Sequence, residues 1–210
     1  MSLAGELKRG LDALELSLSE EAQAKLLKHV ELVEKWNRVY NLTAVRDRNQ
    51  MLPHHVLDSM AVLPHIDGAT LIDVGSGAGM PGIPLAIARP EMNVTLLEAN
   101  HKKSTFLKQA VIELGLANAE VVNARVEAWG APAPFDVVIS RAFSDLGEFI
   151  ALAGRLCADD GVLAAMKGVY PFEELAQVRE PYRTAAVIPL SVPTLKAERH
   201  LVLIERQKSA

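Results

Sequence analysis

Within the first forty residues apolar side chains begin to recur every three or four positions. Leu26, Val30, Val33, Asn37 and Tyr40 fall on such steps, with Trp36 beside them, which predicts an amphipathic helix over residues 19–40. Ser17 and Glu20 have the separation of a capping box at its start. Asn41-Leu42-Thr43 is a plausible stop, and a shorter helix is expected from about Met51 to Leu63, starting near Pro53. Residues 1–64 therefore read as an all-helical N-terminal extension, with the stretch from Pro64 to Gly68 as the join to a domain spanning 65–210. Beyond the join the pattern changes to short apolar runs near 70–74, 93–98, 119–123, 135–140, 161–166, 184–190 and 199–205. Helix-compatible segments such as 79–89, 101–115 and 145–157 lie between them. Strands alternating with helical crossovers predict a doubly wound, mostly parallel α/β sheet of seven strands. The last connection carries Pro189, Pro193 and Leu195 and has no room for a long helix, so an antiparallel hairpin is expected to close the sheet.

The first of these runs ends in Leu71-Ile72-Asp73-Val74-Gly75-Ser76-Gly77-Ala78-Gly79-Met80-Pro81-Gly82. Glycines on alternate positions remove Cβ atoms and permit positive φ, as a strand-to-helix loop requires when a ligand lies against its backbone. Glu98 ends the second run, where a carboxylate in a doubly wound sheet grips the hydroxyls of a ribose. The pair implies a cofactor that contains a nucleoside. Dinucleotide enzymes use G-x-G-x-x-G. Here the spacing is acidic-x-G-x-G-x-G, which resembles the S-adenosylmethionine loop of Rossmann-like class I methyltransferases and places Gly75, Ser76, Gly77, Met80 and Glu98 at the cofactor. A tight turn with no ligand is the alternative, and the placement of Glu98 weighs against it.

Composition narrows the picture. Half of the 210 residues are hydrophobic and 5% are aromatic, as suits a parallel sheet covered by helices on both faces. No run approaches the roughly 18 apolar residues of a membrane span, so no membrane partner is expected. A single cysteine, Cys157, excludes an internal disulfide and a cysteine-based zinc cluster, and His54, His55 and His65 lack partner ligands, so no metal is expected. The first residues lack the basic-then-apolar order of a secretion signal, and a cytoplasmic monomer is the expectation. The net charge of −4 argues against coating nucleic acid by general basicity. It leaves room for a local basic face, because phosphate contacts depend on local Lys and Arg.

In a methyltransferase of this architecture the end of strand 4 borders the reactive methyl, and here that end reads Ser140-Arg141-Ala142-Phe143. The Asn/Asp-Pro-Pro-Tyr/Phe sequence that holds an exocyclic amine is absent. Methylation at pyrimidine C5 needs a nucleophilic cysteine, and Cys157 falls in a predicted helix as a small buried thiol. What remains is an acceptor with a lone pair already free, such as guanine N7, for which alignment matters more than a general base. Arg141 suits that task, since its planar fork matches O6 and N7 of guanine or the carboxylate of the cofactor. Pairing with a structural carboxylate is the alternative for Arg141, and for Arg125 just past strand 3. Val126 and Glu127 sit where an adenine ring is read in this fold. Lys102 and Lys103 open a helix and are either solvated or in contact with phosphate. Lys167 ends strand 5 and Arg199 opens the last strand. Both ends are expected to face one cleft, which Asn37, Tyr40 and Asn41 would close from the helical extension.

These segments together resemble one family. The matching pieces are Lys35 to Thr43, His54 with Leu57-Asp58-Ser59, Asp73 to Pro84, Ser140 to Phe143, Lys167-Gly168 and Glu198 to Val202. They are similar to the bacterial small-subunit rRNA guanine-N7 methyltransferases, the ribosomal small subunit methyltransferase G or glucose-inhibited division protein B family. Met80 stands where that family often has Phe or Leu, and Glu98 where Asp also occurs. The resemblance implies methyl transfer from S-adenosylmethionine to N7 of a guanine in the 530 loop of 16S rRNA, on the small ribosomal subunit or its precursor. It carries over Gly75, Met80, Val126, Glu127 and Arg141 as cofactor contacts. Asn37, Arg125, Arg141 and Arg199 become candidates for the guanine and RNA side, with Lys167 beside them and Arg141 and Arg125 nearest to a catalytic role. The rivals are a methyltransferase acting on a small metabolite, a dinucleotide-dependent oxidoreductase and a non-enzymatic RNA-binding or cofactor-sensing module.

Overall fold

In the computed structural model, which describes residues 2–207, the apolar runs become β1 (Thr70–Val74), β2 (Asn93–Leu97), β3 (Ala119–Val122), β4 (Phe135–Ser140), β5 (Cys157–Lys167), β6 (Tyr182–Pro189) and β7 (His200–Arg206). They form one sheet in the order β3-β2-β1-β4-β5-β7-β6. The first five strands pair in parallel, and β7 runs antiparallel between β5 and β6 as the closing hairpin requires. Successive side chains alternate between two apolar layers. Leu71, Val94, Leu96, Val137, Ile139 and Met166 belong to one, and Ile72, Leu97, Val138, Leu163 and Ala165 to the other. The inner strands β1, β2 and β4 are buried on both faces and are mostly apolar, whereas the edge strands β3 and β6 keep exposed positions such as Glu120 and Arg183.

Helices α1 (Leu3–Ala13) and α2 (Glu20–Tyr40) pack on the first layer together with α5 (Gly82–Ala88) and α6 (His101–Leu114). Helix α7 (Leu146–Ala153) covers the second layer. Between α2 and β1 runs a helical stretch made of α3 (Arg48–Met51), a π-helical segment Leu52–Leu57 and α4 (Asp58–Met60). It begins ahead of the expected Met51, because the Asp47 carboxylate accepts the Asn49 N–H and caps it there. Pro53 lacks an N–H, and the chain absorbs it by widening into π turns.

Helix α1 belongs to the expected helical extension, with Leu3, Leu7 and Leu11 one turn apart and Ser2 accepting the Gly5 N–H at 3.2 Å. Two other expectations need correction. The cap of α2 is Ser19, which accepts from Ala22, and not Ser17. Cys157 opens β5 instead of lying in a helix, since α7 ends at Ala153 and a 3-10 turn, Gly154–Leu156, leads directly into the strand. The polar stretch Ala158-Asp159-Asp160-Gly161 resembles a turn yet stays extended past a register shift against β4.

Candidate functional site

The order of the sheet reverses between β1 and β4, and ligands in doubly wound sheets bind beyond the carboxyl ends of the strands at such a point. Two cavities open there. The smaller, of about 260 Å³, is lined by Gly75 after β1, Glu98 after β2, Arg125, Val126 and Glu127 after β3, and Phe143 after β4. The larger, of about 560 Å³, is lined by His54, Asp58, Arg141, Lys167 and Arg199, again with Phe143. The loop after β4 thus separates two compartments and borders both.

The smaller cavity is shaped by backbone. Gly75, Gly77 and Gly79 adopt φ of +77°, +56° and +86°. A Cβ on Gly75 would stand 2.7 Å from that of Ala142, so the position needs glycine for space as well as for conformation. Glu98 is buried, and its two oxygens accept the N–H groups of Gly77 and Asn100, each at 2.8 Å. The side chain of Asn123 donates to the Glu98 carbonyl at 2.8 Å and ties β3 to the same tip. Below the loop Ser76 donates to the carbonyl of Asp73 at 2.8 Å, and both Ser76 and Met80 are buried.

Asp73 braces the start of α5 by accepting the Gly82 N–H at 2.9 Å. A Cβ on Gly82 would come within 2.8 Å of that carboxylate. The other Asp73 oxygen has no hydrogen-bond partner, and burial pushes the carboxyl up to about 7. From the far side of the loop His29 on α2 donates its Nε2–H to the Ala78 carbonyl at 3.0 Å. Burial holds that imidazole down at about 4, so it is neutral.

The larger cavity is built on ion pairs. Asp58, 1% exposed, gives one oxygen to Nη1 of Arg141 at 3.1 Å and the other to Nε of Arg199 at 3.0 Å. Arg141 also donates to the His54 carbonyl at 3.0 Å, in the π-helical segment, and Arg199 to the Glu198 carbonyl at 2.8 Å. Among the described residues neither Nη2 is bonded, and both arginines are partly exposed to the cavity. Lys167 pairs with Glu174 at 2.6 Å and donates to the carbonyl of Ser144 at 2.9 Å, so its charge is already matched. His55 accepts from the Thr43 hydroxyl through Nε2 at 2.9 Å. Burial and the nearby Arg141 charge keep it down at about 4.

The expected site residues therefore divide. Gly75, Glu98, Val126 and Glu127 border the smaller cavity, with Gly77 bonded to Glu98 and Ser76 and Met80 forming the floor of the loop. Arg141, Lys167 and Arg199 meet at the larger one. Arg125 lines the smaller cavity and Arg141 the larger one, one residue before Ala142, which packs against Gly75. Asn37 borders neither. It is buried, accepts the Thr43 N–H at 2.9 Å and donates to the Val45 carbonyl at 3.3 Å, so it reaches the cleft only through the loop it holds. Asp58 was not anticipated as a site residue. The signal was its place in the family-matching piece Leu57-Asp58-Ser59, which gave it no role. The free thiol of Cys157 lies outside both cavities, and burial raises it to about 11. Among the described residues no three His, Cys, Asp or Glu side chains are placed to hold a metal ion, and no helix is long and apolar enough to cross a membrane.

Comparison with known proteins places the chain in a family. The family model described as rRNA small subunit methyltransferase G matches residues 22–202. The ribosomal RNA small subunit methyltransferase G of Nitrosospira multiformis is 55% identical over 98% of this chain and 99% of its own length. That of Laribacter hongkongensis is 59% identical over 96% and 98% respectively. Among solved structures, a SAM-dependent methyltransferase from Aquifex aeolicus shares the fold, with a TM-score of 0.59 at 19% identity, covering 74% of this chain and 92% of that one.

Proposed function

The chain belongs to the rRNA small subunit methyltransferase G family, and on that premise we propose that it transfers a methyl group from S-adenosylmethionine to N7 of a guanine in the 530 loop of 16S rRNA. The observation that carries the proposal is the pair of cavities meeting at Phe143, one fitted to a nucleoside and the other holding two guanidinium groups on one carboxylate.

The smaller cavity fits the nucleoside half of the cofactor. Gly75 lets the backbone approach without a Cβ in the way. A carboxylate offers about four lone-pair sites, and Glu98 uses two of them on backbone N–H groups, which leaves room for the ribose hydroxyls. Val126 and Glu127 stand beside it for the adenine. S-Adenosylmethionine supplies the electrophilic methyl on a sulfonium sulfur, and the remaining tasks belong to the chain.

On the acceptor side Arg141 and Arg199 hold the guanine or its phosphate through their open Nη2 groups, with orientation set by Asp58. N7 of guanine carries a lone pair and no proton, so positioning suffices and no base is needed. His55 fits that scheme, since a neutral imidazole already bonded to Thr43 is not free to take a proton. Phe143, at the junction, excludes water from the transfer path. Both cavities come from one chain, so a monomer suffices, and the cytoplasm, where small subunits are assembled, is the expected place of action.

The test is to incubate unmethylated small ribosomal subunits with the protein and methyl-labelled S-adenosylmethionine. Label in the small-subunit rRNA supports the reading. Label that appears only in small metabolites of a cell extract would favour the metabolite methyltransferase instead.

A further inference from the structure

Beside the larger cavity three apolar side chains stand in solvent. Val169 is 72% exposed and Phe172 77%, and Tyr170 lies between them in the chain. The ring centroid of Tyr170 is 4.3 Å from that of Phe172 and 5.5 Å from that of His200. Single exposed apolar residues are ordinary on a protein surface. A cluster of rings held together at the mouth of a cationic cavity is not.

The cluster is anchored. Phe172 and Glu174 belong to one short helix, α8 (Phe172–Leu175), and Glu174 binds both the Lys167 ammonium and the Leu146 N–H, the latter at 2.9 Å. The carbonyl of Tyr170 accepts the Phe172 N–H at 3.1 Å, and His200 bonds the Gly168 carbonyl at 2.9 Å. Gly168 and Val169 themselves line the larger cavity, so the rings continue its wall outward, next to Arg199.

We propose that Tyr170 and Phe172 form a stacking platform for an unpaired RNA base that neighbours the methylated guanine. The platform rests on the rRNA reading above. Unpaired bases present flat π faces to aromatic side chains, and such stacking tolerates sequence because every base has such a face. A guanine drawn toward Arg141 and Arg199 leaves its neighbours unstacked, and the rim of rings lies where a neighbour emerges. Arg199 and His200 supply polar contacts on the same side for the connecting backbone.

The experiment compares binding to unmethylated small ribosomal subunits for the native chain, the double variant Tyr170→Ala/Phe172→Ala, its leucine counterpart and Phe172→Trp. Removing the rings should weaken binding by about 5-fold to 150-fold, the scale of one lost base stack. The salt slope and the cofactor affinity should not move. Phe172→Trp should keep or tighten binding, and the leucine pair should behave like the alanine pair. Native affinity in the alanine variant overturns the platform. So does full rescue by leucine, which would mean an apolar contact with a ribosomal protein. Methylation of the subunits by the native chain, scored in the same assay, separates that failure from failure of the rRNA reading, which absence of label would overturn together with the platform.

Discussion

Asp58 and Arg199 lie 141 positions apart, yet the Nε–H of Arg199 meets Oδ1 of Asp58 at 3.0 Å while the other oxygen takes Arg141. One buried carboxylate so fixes two guanidinium groups from the ends of different strands, leaving a net positive charge in the cavity. Asp58→Asn keeps the shape and removes the charge that holds both. It is expected to cost about 1–3 kcal/mol of stability and to slow single-turnover methylation at least tenfold, with cofactor affinity unchanged by calorimetry. A native rate in the folded variant would show that the arginines need no such anchor.

The smaller cavity, proposed for the cofactor, depends on the space at Gly75, whose φ is +77° and whose added Cβ would press on Ala142. Gly75→Val should abolish S-adenosylmethionine binding while the sheet still forms. Calorimetry on a variant with a native-like circular dichroism spectrum checks this, and undiminished affinity there would move the site elsewhere.

Charge at the larger cavity, proposed for the acceptor, is unevenly available. Arg199 retains an open Nη2, whereas Lys167 is paired with Glu174 and hydrogen-bonded to the loop after β4. Arg199→Ala should weaken binding to the small subunit and lower the slope of log affinity against log salt by about one. Lys167→Met should leave that slope nearly unchanged, even if it loosens the loop. Equal losses of slope from both would place Lys167 on phosphate after all.

Buried titratable groups set the acid limit of stability. His29 and His55 have folded pKa values near 4 against 6.5 when exposed. Their contribution is complete above 6.5 and is lost as pH falls through 4, because the unfolded chain binds the protons first. Asp73, raised from 3.8 to about 7, acts the other way. Its contribution is complete below 3.8 and is lost as pH rises through 7. Urea unfolding of His29→Phe should show lower stability at pH 7, since the Ala78 carbonyl loses its donor, but a shallower decline between pH 6.5 and 4. Asp73→Asn should steepen that acid decline and raise stability at pH 8. Curves parallel to the native one would show that these groups titrate as if exposed.

What could be read from the chain was whatever depends on local pattern. Apolar runs marked the strands because a sheet buried on both faces demands them, and the glycine spacing after Asp73 marked a loop with backbone open to a ligand. The closing hairpin followed from the lack of room between Pro189 and Arg199. Pairings between distant side chains were not legible. Nothing near Asp58 announces Arg199, nothing near Lys167 announces Glu174, and Asn37 gives no sign that its polar ends serve its own loop. Arg125 and Arg141 looked equivalent beside their strands, and only the order of the sheet assigns them to different cavities. The polar start of β5 was misjudged for a related reason, since pairing with β4 overrides a turn-like composition.

The atom that receives the methyl group is the most direct test of the account. Methylation at N7 leaves the guanine cationic, so reduction with borohydride followed by aniline cleaves the RNA at that nucleotide. After single-turnover reaction of small subunits with the native chain, scission is expected at one guanine of the 530 loop. It should coincide with the label and, at a fixed early time, be reduced at least tenfold in Asp58→Asn and Arg141→Ala. Label on the rRNA without scission, on a ribose oxygen or an exocyclic amine, would contradict it.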